Sequence, residues 1–343
     1  MAQRTTTELL SAPTAFEKYS ISFFRSPTST TGSFREDIPK PQNGARGSQA
    51  GHCPVNQHGF GTPERRTTKK FPDTHPHELA LACENLLGWT GGPYAILLQF
   101  AAPGIALGSC THSRFATAGI SRLRRTSAFI LSITHGTQSQ KDAICGMVRK
   151  QHTFVKGPGY DASDAALQKW TAATIYAGMI KANETFCCRE LSRQTKETLC
   201  AQAGLLATSL DMPAETWPAS LDEFEDYFSD QMETKLRETE AGKKVGRIFL
   251  YEMSLPWWLG WVLLPFMRLL MASWLPPRWR DAYGLPDPSA SWWSRSCHAV
   301  VVWLVCTLDW LTPGVVKQAA FGVMRRDMES AAENIRRTGC WGM

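Results

Sequence analysis

The sequence lacks most of the features that mark the commoner kinds of protein site. Its ten cysteines include no Cys-x-x-Cys pair and no metal-ligand spacing, which excludes zinc-finger-like metal sites. The first residues lack a basic segment followed by an apolar one, so we expect no signal peptide and reduced, intracellular thiols. No nucleic-acid-binding motif is present, and the net charge of +6 is spread along the chain, which argues against a nucleic-acid partner.

Strand signals are scarce as well. Long segments instead repeat apolar residues at helical spacing, which predicts an all-α fold. With 343 residues, 43% of them hydrophobic, the chain can bury a sizeable core. We therefore expect a single multi-helix domain over residues 76–335 that encloses a pocket. Residues 1–75, rich in Ser, Thr, Pro and Gly, are expected to form a disordered extension with at most a short helix at 7–19.

The stretch from Tyr94 to Gly157 contains three helix-like runs that carry the candidate chemistry of the chain. The first run, 94–112, is almost wholly apolar, and a Pro-Gly pair in its middle predicts a break. The second run, 120–135, opens with the basic segment RLRRT and is followed by a glycine suited to end a helix. The third run, 141–156, carries a histidine near its end.

His152 is the histidine of the third run. Ile144, Val148 and Val155 recur at helical spacing, and His152 lies four residues after Val148 on the same stripe. A histidine on an apolar stripe points inward. It is either a core histidine whose nitrogens are hydrogen-bonded by neighbours, or a ligand aimed at something buried.

Three polar side chains of the second run share one side of their helix. Arg122 and Arg125 are three residues apart, and Arg122 and Thr126 are four apart. They are either solvated side chains of the first helical turns or donors that line a pocket. His112, at the end of the first run, either caps a helix C-terminus or handles protons.

Helix starts are predicted from capping residues. Ser139 with Asp142 is typical of a capping pair for the helix of His152, and Asp161 or Ser163 is suited to cap the following helix. Ser220 with Glu223 predicts a further capping box.

Two apolar segments near the C-terminus, 256–275 and 292–311, raise the question of a membrane. The first has the length of a bilayer span, but Arg268 near its middle would be costly in lipid. Interfacial attachment through 256–280, where tryptophans and arginines alternate with aliphatic residues, is the second interpretation. Plain packing in the core is the third.

Four short segments occur in a fixed order: ILLQFAAPGIALG, HSRF, RLRRT and VRKQHTFVKG, with LPPRWRDAYGLP downstream. Together they resemble the family of the endoplasmic-reticulum-bound oxygenases of mycophenolic acid biosynthesis and the bacterial latex-clearing rubber oxygenases. The resemblance covers roughly residues 80–330.

The resemblance implies an all-helical fold that binds haem b, with His152 as the proximal ligand of the iron. Arg122, Arg125 and Thr126 match the Arg-x-x-Lys-Thr that the rubber oxygenases place opposite the haem. Arginine is a much poorer iron ligand than the lysine of that pattern, so an open distal position is expected. The rubber oxygenases also use an upstream glutamate as a base. No acid matches it here, and His112 is the substitute candidate.

These observations favour a haem-dependent oxygenase that uses dioxygen on a hydrophobic small molecule, isoprenoid or polyketide-derived, in fungal-type secondary metabolism. We expect it to be intracellular, at the endoplasmic reticulum membrane or otherwise in the cytoplasm. One alternative is a non-redox cyclase or dehydratase on the same fold. The other is a membrane-associated helical protein without enzymatic activity.

Overall fold

The fold is seen in a computed structural model, which describes residues 76–112, 115–187, 190–289 and 291–342. The predicted extension 1–75 lies outside the described residues. Thirteen α-helices form this described part, and the only strands in it are two very short ones. The predicted all-α fold is confirmed.

The first seven helices are α1 His77–Glu84, α2 Gly92–Phe100, α3 Pro103–His112, α4 Phe115–His135, α5 Gln138–His152, α6 Ala165–Phe186 and α7 Arg193–Thr208. The other six are α8 Leu221–Asp230, α9 Glu240–Arg247, α10 Trp257–Trp274, α11 Pro277–Ala282, α12 Trp292–Leu311 and α13 Gly314–Thr338. Between them lie 3-10 turns at Leu86–Gly91 and Ala214–Thr216, and π turns at Gln231–Lys235 and Ile248–Glu252.

Helix α6 is the centre of the larger core. Its Trp170 and Tyr176 are almost fully buried and pack with Phe224 and Phe228 of α8. Small residues on another face of α6 let the 3-10 turn before α2 approach until the backbones touch. A Cβ on Gly91 would lie 2.0 Å from the carbonyl oxygen of Gly178, so only glycine allows this contact.

A second core lies between α4, α5 and α13. Leu131 of α4, Ile144 of α5 and Met328 and Ala332 of α13 are fully buried there. The apolar stripe predicted for the third run therefore faces a helix from the far end of the chain. This packing fixes the antiparallel hairpin of α4 and α5, which carries the arginines and His152.

The break predicted in the first apolar run is present. The chain direction turns by 102° between the segment Leu86–Phe100 and the helix α3, because Pro103 lacks the amide hydrogen that would continue α2. Helix α4 has a kink at Ala118 (φ −134°, ψ 30°) and ends at His135, just before the predicted glycine stop.

Two helix caps differ from the prediction. Helix α5 is capped by Thr137 and not by Ser139: the Thr137 hydroxyl accepts from the Gln140 amide, and the Gln140 side chain accepts from the Thr137 amide. Helix α6 is capped by Asp164, whose carboxylate accepts two amide hydrogens at 2.7 and 3.1 Å.

The third predicted N-cap, Ser220, is confirmed, but the reciprocal bond of the predicted capping box goes to the preceding residue. The hydroxyl of Ser220 accepts from the amide of Glu223 at 3.2 Å, and the Glu223 carboxylate accepts from the amide of Ala219 at 2.9 Å. Helix α8 starts there.

The C-terminal apolar segments divide into a buried and an exposed part. Met271, Trp274 and Trp279 are buried, and Arg268 lies over the Tyr251 ring with its guanidinium carbon 5.0 Å from the centroid. Much of the predicted contact segment 256–280 is therefore core, and the tryptophans at its start are exposed.

No single helix of the described ranges is long and apolar enough to cross a membrane. Two strongly bent pairs meet the requirement by length and composition alone: Leu86–Phe100 with Pro103–His112, and Ser294–Leu311 with Gly314–Thr338.

Candidate functional site

His152 is the last residue of α5, at a point where the chain turns sharply. The amide of Val155 donates to the His152 carbonyl at 2.9 Å. The chain then forms a minimal hairpin in which Lys156–Gly157 (β1) pairs antiparallel with Tyr160–Asp161 (β2). Gly159 has φ +81°, a value suited to glycine, and it allows this tight turn. The hairpin therefore brings β2 back towards the end of α5.

Arg149 fixes the end of α5 from the other side. Its guanidinium donates to the Ser209 carbonyl at 2.6 Å and lies 3.6 Å from the Asp211 carboxylate, just beyond α7. The charged hydrogen bond is the stronger of the two contacts, because Asp211 is largely exposed and its ion pair is screened. His152 thus sits on a helix end that is fastened to a neighbouring element.

The imidazole of His152 is half-buried and incompletely hydrogen-bonded. Its Nδ1 is buried and has no hydrogen-bond partner among the described residues. Burial lowers its pKa, the positive charge of Arg122 lowers it further, and the carboxylate of Asp161 opposes the shift. The ring is therefore neutral at pH 7, which is the form that binds metal.

Arg122 is the residue of the second run that acts on His152. Its side chain keeps access to solvent, yet surrounding protein lowers the pKa of its guanidinium to about 10 by desolvation. It remains charged at pH 7.

The other two predicted donors of this run have different surroundings. The Arg125 guanidinium carbon is 5.8 Å from the centroid of the Trp341 ring, and burial lowers its pKa. The Thr126 hydroxyl donates to the Arg122 carbonyl at 3.1 Å, and its side chain is exposed. Of the three residues, the structure thus shows only Arg122 acting electrostatically on His152.

His112 ends α3 and contacts the hairpin. Its Nε2 lies 2.9 Å from the Tyr160 hydroxyl, and the two rings meet edge-on with centroids 5.7 Å apart. A glycine on α3 eases this approach, because a Cβ on Gly108 would lie 3.2 Å from the Tyr160 ring, a tight contact. Through this one hairpin, His112 and His152 belong to the same corner of the fold.

Tyr160 and Asp161 do not belong to the site predicted from the sequence. Neither residue lies on a periodic stripe, and strands of two residues have no alternation to recognise. The signal that points to them is the Gly157-Pro158-Gly159 turn directly after the helix of His152, because a tight turn returns the chain to its start.

The site offers the neutral imidazole of His152 and no cluster of metal-ligating side chains among the described residues. The described ranges contain no group of three or more His, Cys, Asp and Glu residues placed to hold a metal ion. A porphyrin supplies four nitrogen ligands itself, so one neutral imidazole is sufficient. His152 offers one such imidazole, whose buried Nδ1 has no hydrogen-bond partner in the described part.

A separate small cavity of about 160 Å³ lies between α4 and α13, beside Leu123, Arg124 and Asp327. Ligand pockets are commonly about 300–1,000 Å³, so this cavity is too small for a drug-sized substrate. Its polar edge is occupied by the Arg124–Asp327 ion pair. It is not a candidate for the reaction site.

Comparison with known proteins gives one family. The family model for the catalytic domain described as "ER-bound oxygenase mpaB/B'/Rubber oxygenase" matches residues 82–307. Uncharacterized proteins of Mycobacterium bovis and Mycobacterium tuberculosis are each 27% identical over 228 residues, which is 62% of this chain and 84% of the relative. No solved structure matches the chain. The matched range includes His112, Arg122 and His152.

Proposed function

The chain belongs to the family of ER-bound oxygenase mpaB/B' and rubber oxygenase catalytic domains, and we propose that it is a haem b-dependent oxygenase. Its substrates would be dioxygen and a hydrophobic small molecule. The observation that carries the haem proposal is the neutral imidazole of His152, with a buried nitrogen that lacks a partner in the described part, in the field of Arg122.

His152 would hold the iron of the haem. When bound, haem b supplies a reducible iron at which dioxygen is activated. Two effects keep this imidazole unprotonated: its desolvation and the positive charge of Arg122. Arg149 keeps the helix end in place through its bond to the Ser209 carbonyl, and a ligand on a fixed element loses little entropy on binding.

Arg122 would also stabilise negative charge that develops in the reaction. Its guanidinium is charged at pH 7 and lies in partly desolvated surroundings. There a cation interacts more strongly than it does in water. Arg125 and Thr126 remain candidates from the family pattern, and the Arg125 guanidinium lies over the Trp341 ring.

The His112–Tyr160 pair would handle protons. The imidazole nitrogen and the phenol oxygen are at hydrogen-bond distance, 2.9 Å. His112 is exposed, so the pair can exchange a proton with water. This would supply the acid–base group that the family's upstream glutamate provides and this chain lacks.

A hydrophobic substrate would find an apolar contact beside His152. Phe154, two residues further along, is 70% exposed, which is unusual for so large an apolar side chain. Substrate burial would remove this ring from water. We keep the isoprenoid or polyketide-derived class, the setting in fungal-type secondary metabolism and the location at the endoplasmic reticulum or in the cytoplasm as predictions from the family resemblance.

The test is the visible spectrum of the purified full chain, expressed with a haem precursor and measured oxidised and dithionite-reduced. Loss of an outer-shell partner alone costs about 10–100-fold in metal affinity, so His152→Ala should lower haem occupancy more than tenfold. The matched control is His135→Ala, at the end of the preceding helix, which should keep the haem band. A His152→Ala protein with the full haem band would exclude the assignment.

A second candidate, a non-redox acid–base catalyst on the same fold, is favoured by the His112–Tyr160 pair alone. The two functions differ in their need for oxygen. Conversion of a hydrophobic substrate by haem-free protein without oxygen would select the second candidate. Conversion that requires both haem and oxygen would select the first.

A further inference from the structure

The last part of the chain has an apolar surface that no described residue covers. Helix α12 is 20 residues long, and none of its described side chains is fully buried. Its exposed side chains include the tryptophans Trp292, Trp303 and Trp310 and the leucines Leu304, Leu308 and Leu311. An exposed apolar patch of this kind marks an interaction surface.

The exposed surface continues around a sharp corner into α13. The axes of the two helices differ by 99°, and Pro313 precedes α13. Trp310 is 81% exposed on one side of the corner, and Val315 is 71% exposed on the other. We call residues 303–316 the α12–α13 corner.

The two threonine hydroxyls and the one charged side chain of the corner are paired within it or at its border. The hydroxyl of Thr307 donates to the Trp303 carbonyl at 2.8 Å, and that of Thr312 donates to the Leu308 carbonyl at 2.6 Å. Asp309 is the only charged residue between 303 and 316, and Lys317 neutralises it at 2.6 Å. This is the condition for entering hydrocarbon, where water cannot satisfy polar groups.

These features favour lipid over a protein partner. The bent pair of α12 and α13 has the length and composition of a membrane span, but its bend suits entry into one leaflet and not a crossing. Protein interfaces have a polar rim that orients the partner, and the corner has only one charged side chain, already paired. Exposed tryptophans are typical of the boundary between headgroups and acyl chains.

We propose that the α12–α13 corner inserts into the outer layer of a phospholipid bilayer and that acyl chains cover its side chains. Helix α10 packs against α12 and presents Trp257, Trp258 and Trp261, all exposed, in a segment with no charged residue from 253 to 267. Binding through acyl chains does not require anionic lipid, and salt does not screen it.

The experiment is flotation of the purified full chain with vesicles of phosphatidylcholine alone, at low and high salt. The wild-type protein should float under both conditions. The double variant Trp310→Ser, Val315→Ser should bind about 100-fold more weakly, because each apolar side chain contributes roughly tenfold. Both side chains are exposed, so thermal unfolding of the variant should be unchanged. The control Leu81→Ser, an exposed leucine on α1, should float like wild type.

Three results would overturn the proposal. The first is no flotation of wild type with phosphatidylcholine, and the second is equal flotation of the double variant. The third is sedimentation showing self-association that the double variant abolishes, without vesicle binding, which assigns the corner to a second copy of the chain. Flotation only with anionic vesicles and only at low salt would count as the first result. The proposal does not depend on haem, so haem-free protein should float equally.

Discussion

Two histidines end two successive helices, and their surroundings differ. His135 ends α4: its Nδ1 lies 2.8 Å from the Thr134 hydroxyl, its Nε2 lies 3.3 Å from the Glu84 carboxylate, and its ring contacts Phe321. His152 ends α5, and its buried Nδ1 has no partner in the described part of the chain. Both histidines end runs with apolar residues at helical spacing, so position alone does not separate them.

The difference shows which histidine the fold uses for its own stability. Buried polar atoms are nearly always hydrogen-bonded in a folded protein, and an exception requires an explanation. His135 meets this rule through neighbours. The Nδ1 of His152 is one of several buried side-chain atoms that do not meet it, and it lies at a helix end that Arg149 holds in place. A group bound to the imidazole would explain why this ring is not fully hydrogen-bonded by the protein.

The largest effect should be the difference in stability between haem-free variants in which one or the other histidine is replaced. His135→Ala removes two hydrogen bonds and a ring contact, and should lower the free energy of unfolding by about 2 kcal/mol. His152→Ala loses no hydrogen bond from Nδ1 and should cost less than about 1 kcal/mol. Urea denaturation of both variants measures this. Equal losses would remove the distinction between the two residues.

A smaller effect is expected from the contact that holds the end of α5. Arg149→Met removes the hydrogen bond to the Ser209 carbonyl and should cost about 1–2 kcal/mol of unfolding free energy. The adjacent Lys150 is exposed, so Lys150→Met should change stability by less than about 0.5 kcal/mol. The measurement is urea denaturation of haem-free protein. If the two variants are equally stable, the helix end is not held by Arg149.

The smallest effect concerns pH. His152 has its pKa lowered from 6.5 in the folded state, so the unfolded state binds the proton more tightly. Stability of haem-free protein therefore falls as pH drops below 6.5, and is fully present above it. Arg122→Met removes one cause of the shift, so the His152 pKa should rise and the loss of stability at acid pH should become smaller.

An NMR titration of the His152 ring measures this pKa directly. The control is Arg124→Met, because the Arg124 guanidinium is bound by Asp327 on α13 and is not among the causes of the shift. An unchanged His152 pKa in the Arg122→Met variant would contradict the electrostatic coupling on which the site is built.

Helices and their strongest boundaries could be predicted from the sequence because their signals are local. The run 292–311, the stop before Gly136 and the Ser220 cap all depend on residues within a few positions of each other. Caps were misassigned where several candidates are crowded together. The segment after His135 contains both Thr137 and Ser139, and only the folded geometry shows which hydroxyl reaches an amide.

The site itself was only partly predictable. The stripe of α5 directs His152 inward, but the charge of Asp161 reaches it only because a hairpin folds back. The shared side of Arg122 and Arg125 follows from spacing, but the contact of Arg125 with Trp341, more than 200 residues away in sequence, does not. The sequence likewise shows that 256–280 is apolar, but not that its second half is buried. These features depend on contacts distant in sequence.

The contact between Gly91 and Gly178 has a consequence for how the molecule tolerates change. Both surfaces are main chain, so no rotamer can adjust if either residue acquires a side chain. Helix α2 starts at the next residue, and α3 follows it. We therefore expect a methyl group at this junction to displace α2 and α3. The displacement would misalign His112 with Tyr160, although neither glycine takes part in the chemistry.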